Sequence, residues 1–172
     1  MRSRLRVLFL LVAVVVAVAA ATAMPAAATS RDDYSAAILR LIAGARAERG
    51  LPAVHTKAAL SRAALEHSRD MLRREYFSHT SPGGDGCMDR SRRGGYRFTG
   101  YRSGAVGEVI AWGVGLRGTP QEVFEGWMGS PPHRAVIFSS RWRDVGVACV
   151  EGTFSGMSGS FMYTVDFGRR SH

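Results

Sequence analysis

Three side chains in this sequence, His79, Glu108 and His133, are of types that bind metal ions or transfer protons. His79 lies where a predicted helix gives way to a loop, Glu108 interrupts an otherwise apolar predicted strand, and His133 lies near the start of a short predicted helix. Zinc prefers imidazole and carboxylate ligands, and histidine also acts as a general acid or base near neutral pH. The three residues therefore predict either a divalent-metal site, with His79 and His133 as ligands, or an acid–base site.

Ser130 adds a second chemical possibility, because it precedes His133 by one helical turn. If Glu108 oriented the His133 ring, the three residues would form a Ser/His/Glu set for nucleophilic catalysis. Ser130 also stands before Pro131, where it is typical of a helix cap. The chain contains no G-x-S-x-G nucleophile elbow. Glu108, Ser130 and His133 remain candidate catalytic residues, and all four side chains are candidate ligand-binding residues.

Helices are predicted first along the chain. Apolar residues recur every three to four positions over 32–49 and over about 56–75, with Thr56 as the expected cap of the second helix. A turn-rich segment, 78–95, has room for a short helix near 89–93. Thr119-Pro120 and Ser130-Pro131 each place a capping residue before a proline at the first helical position, which predicts two further helices.

Strands dominate the second half of the chain. Residues 106–112 are apolar apart from Glu108, and 145–149 and 161–167 alternate apolar side chains on one face. A glycine- and serine-rich turn at 152–160 joins the last two strands as a hairpin. Helices mostly first and an antiparallel sheet mostly last indicate the α+β fold class.

The N-terminal residues have the pattern of an export signal. Arg2, Arg4 and Arg6 precede an almost uninterrupted apolar run at 7–21, followed by small residues that fit a cleavage site. This order predicts a secretory signal peptide over 1–28 and one domain over 29–172, secreted to the extracellular space. The alternative is an uncleaved anchor that would keep the protein in the cell envelope. No second apolar run of spanning length follows.

Cys87 and Cys149 are the two cysteines of the chain. In an oxidising compartment an even pair predicts one disulfide. The alternative is two unrelated buried thiols.

The charge is strongly basic, with 23 Lys and Arg against 14 Asp and Glu and a formal net charge of +9. The arginines fall into three clusters: Arg90, Arg92, Arg93 and Arg97; Arg141 and Arg143; Arg169 and Arg170. A secreted basic protein meets anionic lipid, cell-wall polymer or acidic glycan. Because no stacking-sheet motif is present, nucleic acid is not expected as a partner. A solvated basic face is the alternative.

In their order along the chain, several motifs resemble the CAP superfamily, the cysteine-rich secretory, antigen 5 and pathogenesis-related proteins with an SCP domain, and most closely its bacterial secreted branch. The matching segments span about residues 34–168, and they are Ala45–Leu51, Ala64–Met71, Phe77-Ser78-His79, Gly94-Gly95-Tyr96, Gly107–Ala111, Trp127–Arg134 and Val145-Gly146-Val147.

The resemblance implies a three-layer α-β-α sandwich with a small antiparallel sheet between helical layers. It also implies a central cleft in which His79 and His133 are the paired histidines, able to bind zinc or another divalent cation in some relatives, and Glu108 is the first cleft glutamate. Ser130 stands where the eukaryotic pattern has a second glutamate.

Two functions from different classes follow. The first is a secreted binding module, whose cleft holds a ligand with or without a metal and whose surface recognises lipid, cell-wall polymer or another secreted protein. The second is a secreted hydrolase or peptidase that uses a zinc-activated water or the Ser130/His133/Glu108 set. The missing second acid and the missing nucleophile elbow favour the binding module. The sequence does not determine the oligomeric state.

Overall fold

A computed structural model describes residues 31–171 of the chain. The predicted signal peptide lies outside these residues. The elements of the described part are α1 (Arg31–Ala47), β1 (His55–Thr56), α2 (Ala58–Arg74), α3 (Cys87–Arg93), β2 (Ser103–Val114), α4 (Pro120–Gly129), α5 (Pro131–Ile137), β3 (Asp144–Phe154) and β4 (Met157–Ser171).

The strands form one sheet in the order β1-β3-β4-β2. The predicted hairpin between β3 and β4 is confirmed, and its turn is tighter than expected because Ser155 and Gly156 both adopt positive φ angles, of 51° and 76°. Paired positive φ angles match the right-handed twist of the flanking strands. The sheet is not purely antiparallel, because β1 pairs with β3 in parallel. Sequence patterning missed β1 because its two residues are both exposed and show no alternation.

One face of the sheet is covered by α1, α4 and α5. The largest apolar cluster fills this interface, and its fully buried side chains include Ile38, Ile42, Trp127, Ile137, Val145, Tyr163 and Phe167. The 3.6-residue apolar spacing of α1 and α4 produces this layer because it puts one continuous stripe against the sheet.

The other face is covered by α2 and α3. Leu60, Ala63 and Met71 of α2 are completely buried, and Ser68 Oγ donates a hydrogen bond to Thr164 Oγ1 of β4 at 2.9 Å. Gly146 of β3 lets α2 approach closely, since a Cβ there would lie 2.2 Å from the α2 backbone. The two helical layers and the sheet make a three-layer α-β-α sandwich, as predicted.

Helix capping agrees only in part with the sequence patterns. Thr119 caps α4, where its hydroxyl accepts a hydrogen bond from the Glu122 backbone N–H at 3.5 Å. Ser130 is the N-cap residue of α5, but its side chain makes no capping hydrogen bond. Thr56 does not cap α2, because it belongs to β1 and Lys57 takes the N-cap position.

The predicted disulfide between Cys87 and Cys149 is wrong, since both residues are thiols in the structure. Cys149 pairs in register with Tyr163, so it faces the α1 layer. Cys87 lies at the start of α3 on the opposite face, where burial first, and then the negative charge of Glu108, raise its pKa to about 12. The intervening sheet separates the two sulfur atoms, which the sequence pattern could not reveal.

Within residues 31–171, no helix combines the length and the apolar character that crossing a bilayer requires.

Candidate functional site

Glu108 is the best-buried member of the predicted site. It lies in the edge strand β2, directly opposite Asp166 of β4, on the sheet face covered by α2 and α3. Only 2% of its side chain is exposed. A carboxylate this deep must be paired or hydrogen-bonded to stay ionised, and each of its two oxygens has a partner.

His79 binds the first of these oxygens. Its position follows from the end of α2, where Glu75 adopts a left-handed conformation with φ of 50° and turns the chain away from the helix. His79 Nδ1 lies 2.8 Å from Glu108 Oε1. A carboxylate that accepts from Nδ1 fixes the imidazole tautomer and leaves Nε2 with a lone pair. Since 55% of the His79 side chain is exposed, this nitrogen is accessible to a ligand.

Arg90 binds the second oxygen, and sequence analysis missed this role because Arg90 falls within a run of surface arginines. Its Nη2 donates to Glu108 Oε2 at 2.7 Å and to the His79 carbonyl at 2.9 Å, while Nη1 donates to the Asp85 carbonyl at 2.8 Å. Only 2% of the Arg90 side chain is exposed. It therefore fixes the carboxylate and the backbone of the histidine loop together.

The pKa of Glu108 reflects two opposing effects. Burial disfavours the charged carboxylate, but the hydrogen bond from His79 and the positive charge of Arg90 outweigh it, so the pKa is lowered from its usual value. Glu108 is thus held as an anion and its lone pairs face protein donors.

Two further buried titratable residues flank Glu108, and neither was predicted. His67 Nε2 lies 3.9 Å from Glu108 Oε1, and burial lowers its pKa to about 4, so the ring is neutral. Asp166 is completely buried, and burial beside Glu108 raises its pKa well above the usual value. Two adjacent carboxyl groups cannot both ionise without a large cost. Asp166 therefore holds a proton while Glu108 is charged.

The strand register was the missing signal for Asp166. In the sequence it looks like one polar residue in an apolar strand, and only the pairing of β2 with β4 places it beside Glu108.

Ser130 and His133 lie on the other side of the β2 edge. Both line a cavity of about 330 Å³ together with Phe77, Ile110 and Trp127, and the Trp127 indole donates to the Ile110 carbonyl at 3.0 Å.

The imidazole of His133 is held neutral. Burial, and then repulsion from the protonated form of His79, lower its pKa. Its Nδ1 is buried, and no side chain or backbone group of the described residues hydrogen-bonds to it. Ser130 is not its partner, so the Ser130/His133/Glu108 set is not assembled in this structure.

The site fits a divalent cation only in part. The His79 tautomer that Glu108 fixes is the form that binds metal, and His133 is also an imidazole with a lone pair to offer. Among residues 31–171, however, no group of three or more His, Cys, Asp or Glu side chains converges as metal ligands. His133 lines the cavity of about 330 Å³ and His79 is not among its lining residues. The described residues would therefore supply at most two histidines rather than a closed tetrahedral zinc site.

Sequence comparison places this chain within a known family. The model of the CAP family, described as the cysteine-rich secretory protein family, matches residues 39–167. The uncharacterized protein YkwD of Bacillus subtilis (strain 168) is 31% identical over 125 residues, which are 73% of this chain and 46% of that protein.

Solved structures agree with the fold. An extracellular protein containing a SCP domain from Bacillus anthracis has a TM-score of 0.66 at 26% identity, over 81% of this chain and 41% of that one. An outer surface protein from Borrelia burgdorferi has a TM-score of 0.69 at 18% identity, over 83% of this chain and 96% of that one. The chain spans less than half the length of either Bacillus relative. The match over residues 39–167 and the shared fold show that the chain belongs to the CAP family.

Proposed function

We propose that this chain is an exported CAP module that binds a ligand in the cleft beside β2, by which we mean the cavity of about 330 Å³ together with the neighbouring His79, and that His79 and His133 are its polar contacts. Export is supported by the signal-like pattern of the first 28 residues and by relatives described as an extracellular protein and an outer surface protein. The cleft, rather than the fold, carries the functional argument, because one fold serves many activities.

The observation that carries the proposal is the full engagement of Glu108. One oxygen is bonded to His79 and the other to Arg90, and the side chain is buried. A general base must reach the water or hydroxyl whose proton it takes. Glu108 instead positions His79, which favours binding over hydrolysis by a Glu108-activated water.

The chemistry of the cleft indicates the kind of ligand. Two imidazoles that each offer a lone pair can accept hydrogen bonds or coordinate a divalent cation such as zinc. The walls contributed by Phe77 and Trp127 are aromatic, so an organic ligand needs an apolar part beside its polar group. Zinc held by two protein ligands would bind weakly and would be lost when the imidazoles are protonated.

Lipid binding is a second candidate, supported by a separate groove between α1 and α4. The groove has a volume of about 650 Å³, and Tyr34, Ala37, Leu41 and Phe124 contribute to its lining. The test measures binding of a fluorescent fatty acid to the protein. Ala37→Arg should abolish this binding, whereas Arg at the exposed Ala36 should leave it unchanged. Equal fatty-acid binding by both variants would remove this candidate.

The cleft proposal is tested by titrating zinc into isotope-labelled protein and following the imidazole resonances by NMR. We expect His79 and His133 to shift together and saturably, and His79→Ala and His133→Ala each to weaken binding at least about tenfold. His55 is the matched control, because it is an exposed histidine on β1 at the opposite edge of the sheet. Shifts confined to His55, or unchanged affinity in both alanine variants, would refute the cleft as a cation site.

The hydrolase alternative is tested in parallel. A peptide and ester library is incubated with wild-type protein and with Ser130→Ala and Glu108→Gln. We expect the wild-type protein to hydrolyse the library members no faster than either variant does. Hydrolysis that disappears in either variant would overturn the binding-module proposal.

A further inference from the structure

A second surface differs chemically from the cleft, because it consists largely of arginines at one end of the sheet. Three segments meet there, 92–103, 139–143 and 167–171, and together they contain eight arginines and no acidic residue. The backbone brings them together: the Arg102 N–H donates to the Ser171 carbonyl, and the Arg143 N–H donates to the Gly168 carbonyl. We name this surface the basic end, and its exposed or half-buried members are Arg92, Arg93, Arg97, Arg102, Arg141, Arg143, Arg169 and Arg170.

The acidic side chains of the fold do not neutralise the basic end. Two acids reach this end and both are already paired: Asp85 with Arg93 at 2.7 Å, and Asp144 with Lys57 at 3.6 Å and with Arg170 at 3.5 Å. The ion pairs of the described residues leave Arg97, Arg102 and Arg169 without an acidic partner. Like charges gathered on one surface repel one another, and a counterion or an anionic ligand relieves that repulsion.

Two of these guanidinium groups, those of Arg169 and Arg170, also contact neighbours that carry no charge. Arg170 lies over the rings of Tyr96 and Tyr101, at 4.5 and 4.9 Å from their centroids. Arg169 Nη2 donates to Ser103 Oγ at 3.3 Å and to Ser171 Oγ at 3.2 Å. A guanidinium on an aromatic ring keeps its N–H edges available, so these contacts arrange the arginines without consuming their charge.

We propose that the basic end binds a linear polymer that carries repeated phosphate groups. Arginine is the cation best matched to phosphate, because its planar fork donates two parallel hydrogen bonds. Arg169 and Arg170 are consecutive in β4, so their side chains leave opposite faces of the sheet. The charge therefore wraps around the end of the sheet, which suits a chain with many phosphates better than a single ion.

A bilayer surface is less well matched to the same charges. Membrane-surface elements combine cationic residues with exposed apolar side chains that enter the headgroup region. Among the described residues, four large apolar side chains are exposed. Val114, Leu116 and Met157 lie around the opposite end of the sheet, where β2 ends and β4 begins, and Phe77 lines the cavity beside β2.

The test measures binding of the full domain to fluorescent poly(glycerol phosphate) over a series of salt concentrations. The variant Arg97→Gln/Arg102→Gln/Arg169→Gln should weaken binding about tenfold or more at about 0.1 M salt and should reduce the slope of log affinity against log salt concentration. The matched control, Arg40→Gln/Arg69→Gln/Arg74→Gln, removes the same charge from α1 and α2 and should bind almost as wild type does. Circular dichroism checks that both variants remain folded.

Four outcomes would overturn the proposal: no saturable polymer binding, equal loss in the two triple variants, equal affinity for a carboxylate polymer such as polygalacturonate, or stronger binding to vesicles of anionic phospholipid. His133→Ala should bind the polymer unchanged. Failure of the cleft proposal and failure of this one are therefore separable.

Discussion

Replacing Arg90 tests whether the buried network holds the candidate site together. Arg90→Met keeps much of the length of the side chain but removes the charge and its donors. Glu108 would then lose its 2.7 Å ion pair, and the carbonyls of His79 and Asp85 would lose their donors. Removing one partner of a buried ion pair costs about 3–5 kcal/mol, because the other charge is left uncompensated.

Arg93→Met is the matched control. Arg93 is on the same helix and pairs with Asp85, but their side chains are 50% and 44% exposed. Exposed pairs contribute about 0–1 kcal/mol.

The assay is urea denaturation near neutral pH. With a typical slope of about 2 kcal/mol per molar urea, we expect the midpoint to fall by about 2 M for Arg90→Met and by less than about 0.5 M for Arg93→Met. The double variant Arg90→Met/Glu108→Gln should recover at least about 1 kcal/mol, because it no longer buries an unpaired anion. If Arg90→Met lost no more stability than Arg93→Met, the network would not be what holds the site.

Three further predictions concern stability and its dependence on pH. Gly146→Ala should destabilise the fold by about 1–3 kcal/mol or more, because the added Cβ would meet the α2 backbone. Gly44→Ala, in the middle of α1, has open space around the added Cβ and should stabilise the fold by about 0.5–1 kcal/mol. Equal effects of the two variants on thermal unfolding would contradict the packing argument. His67 is neutral in the folded protein, with a pKa of about 4 against 6.5 ordinarily, so the unfolded chain takes up the extra proton as the pH falls from 6.5 to 4. Wild type should lose up to about 3 kcal/mol over this window, and His67→Gln should lose less; parallel curves for the two proteins would argue against a buried neutral ring. Asp166→Asn should be more stable than wild type near neutral pH, because folding no longer has to protonate a carboxyl whose pKa is raised. This difference in stability should shrink as the pH falls toward about 4, the ordinary pKa of an aspartate. Lower stability of Asp166→Asn near neutral pH would mean that Asp166 is ionised in the fold.

Local signals in the sequence determined most of the elements and pointed to His79, Glu108, Ser130 and His133. Apolar periodicity predicted α1 and α2, and the Thr-Pro and Ser-Pro pairs predicted the starts of α4 and α5, because capping and helix periodicity depend on residues within one turn of each other. The resemblance to the CAP superfamily correctly implied the α-β-α sandwich. Of the predicted site residues, His79 and Glu108 do come into direct contact.

Only the tertiary structure decided which side chains meet Glu108 and which do not. Arg90 looks like any other residue of a basic cluster, and Asp166 reaches Glu108 only through the register of two strands whose residues are far apart in the chain. The assembled sheet also separates Cys87 and Cys149 on opposite faces, which overturned the disulfide. Pairing across a sheet and packing of helices on its faces are long-range events that a short window of sequence does not encode. The types of the site's residues are therefore fixed locally, whereas their charge states and partners are set by the assembled fold.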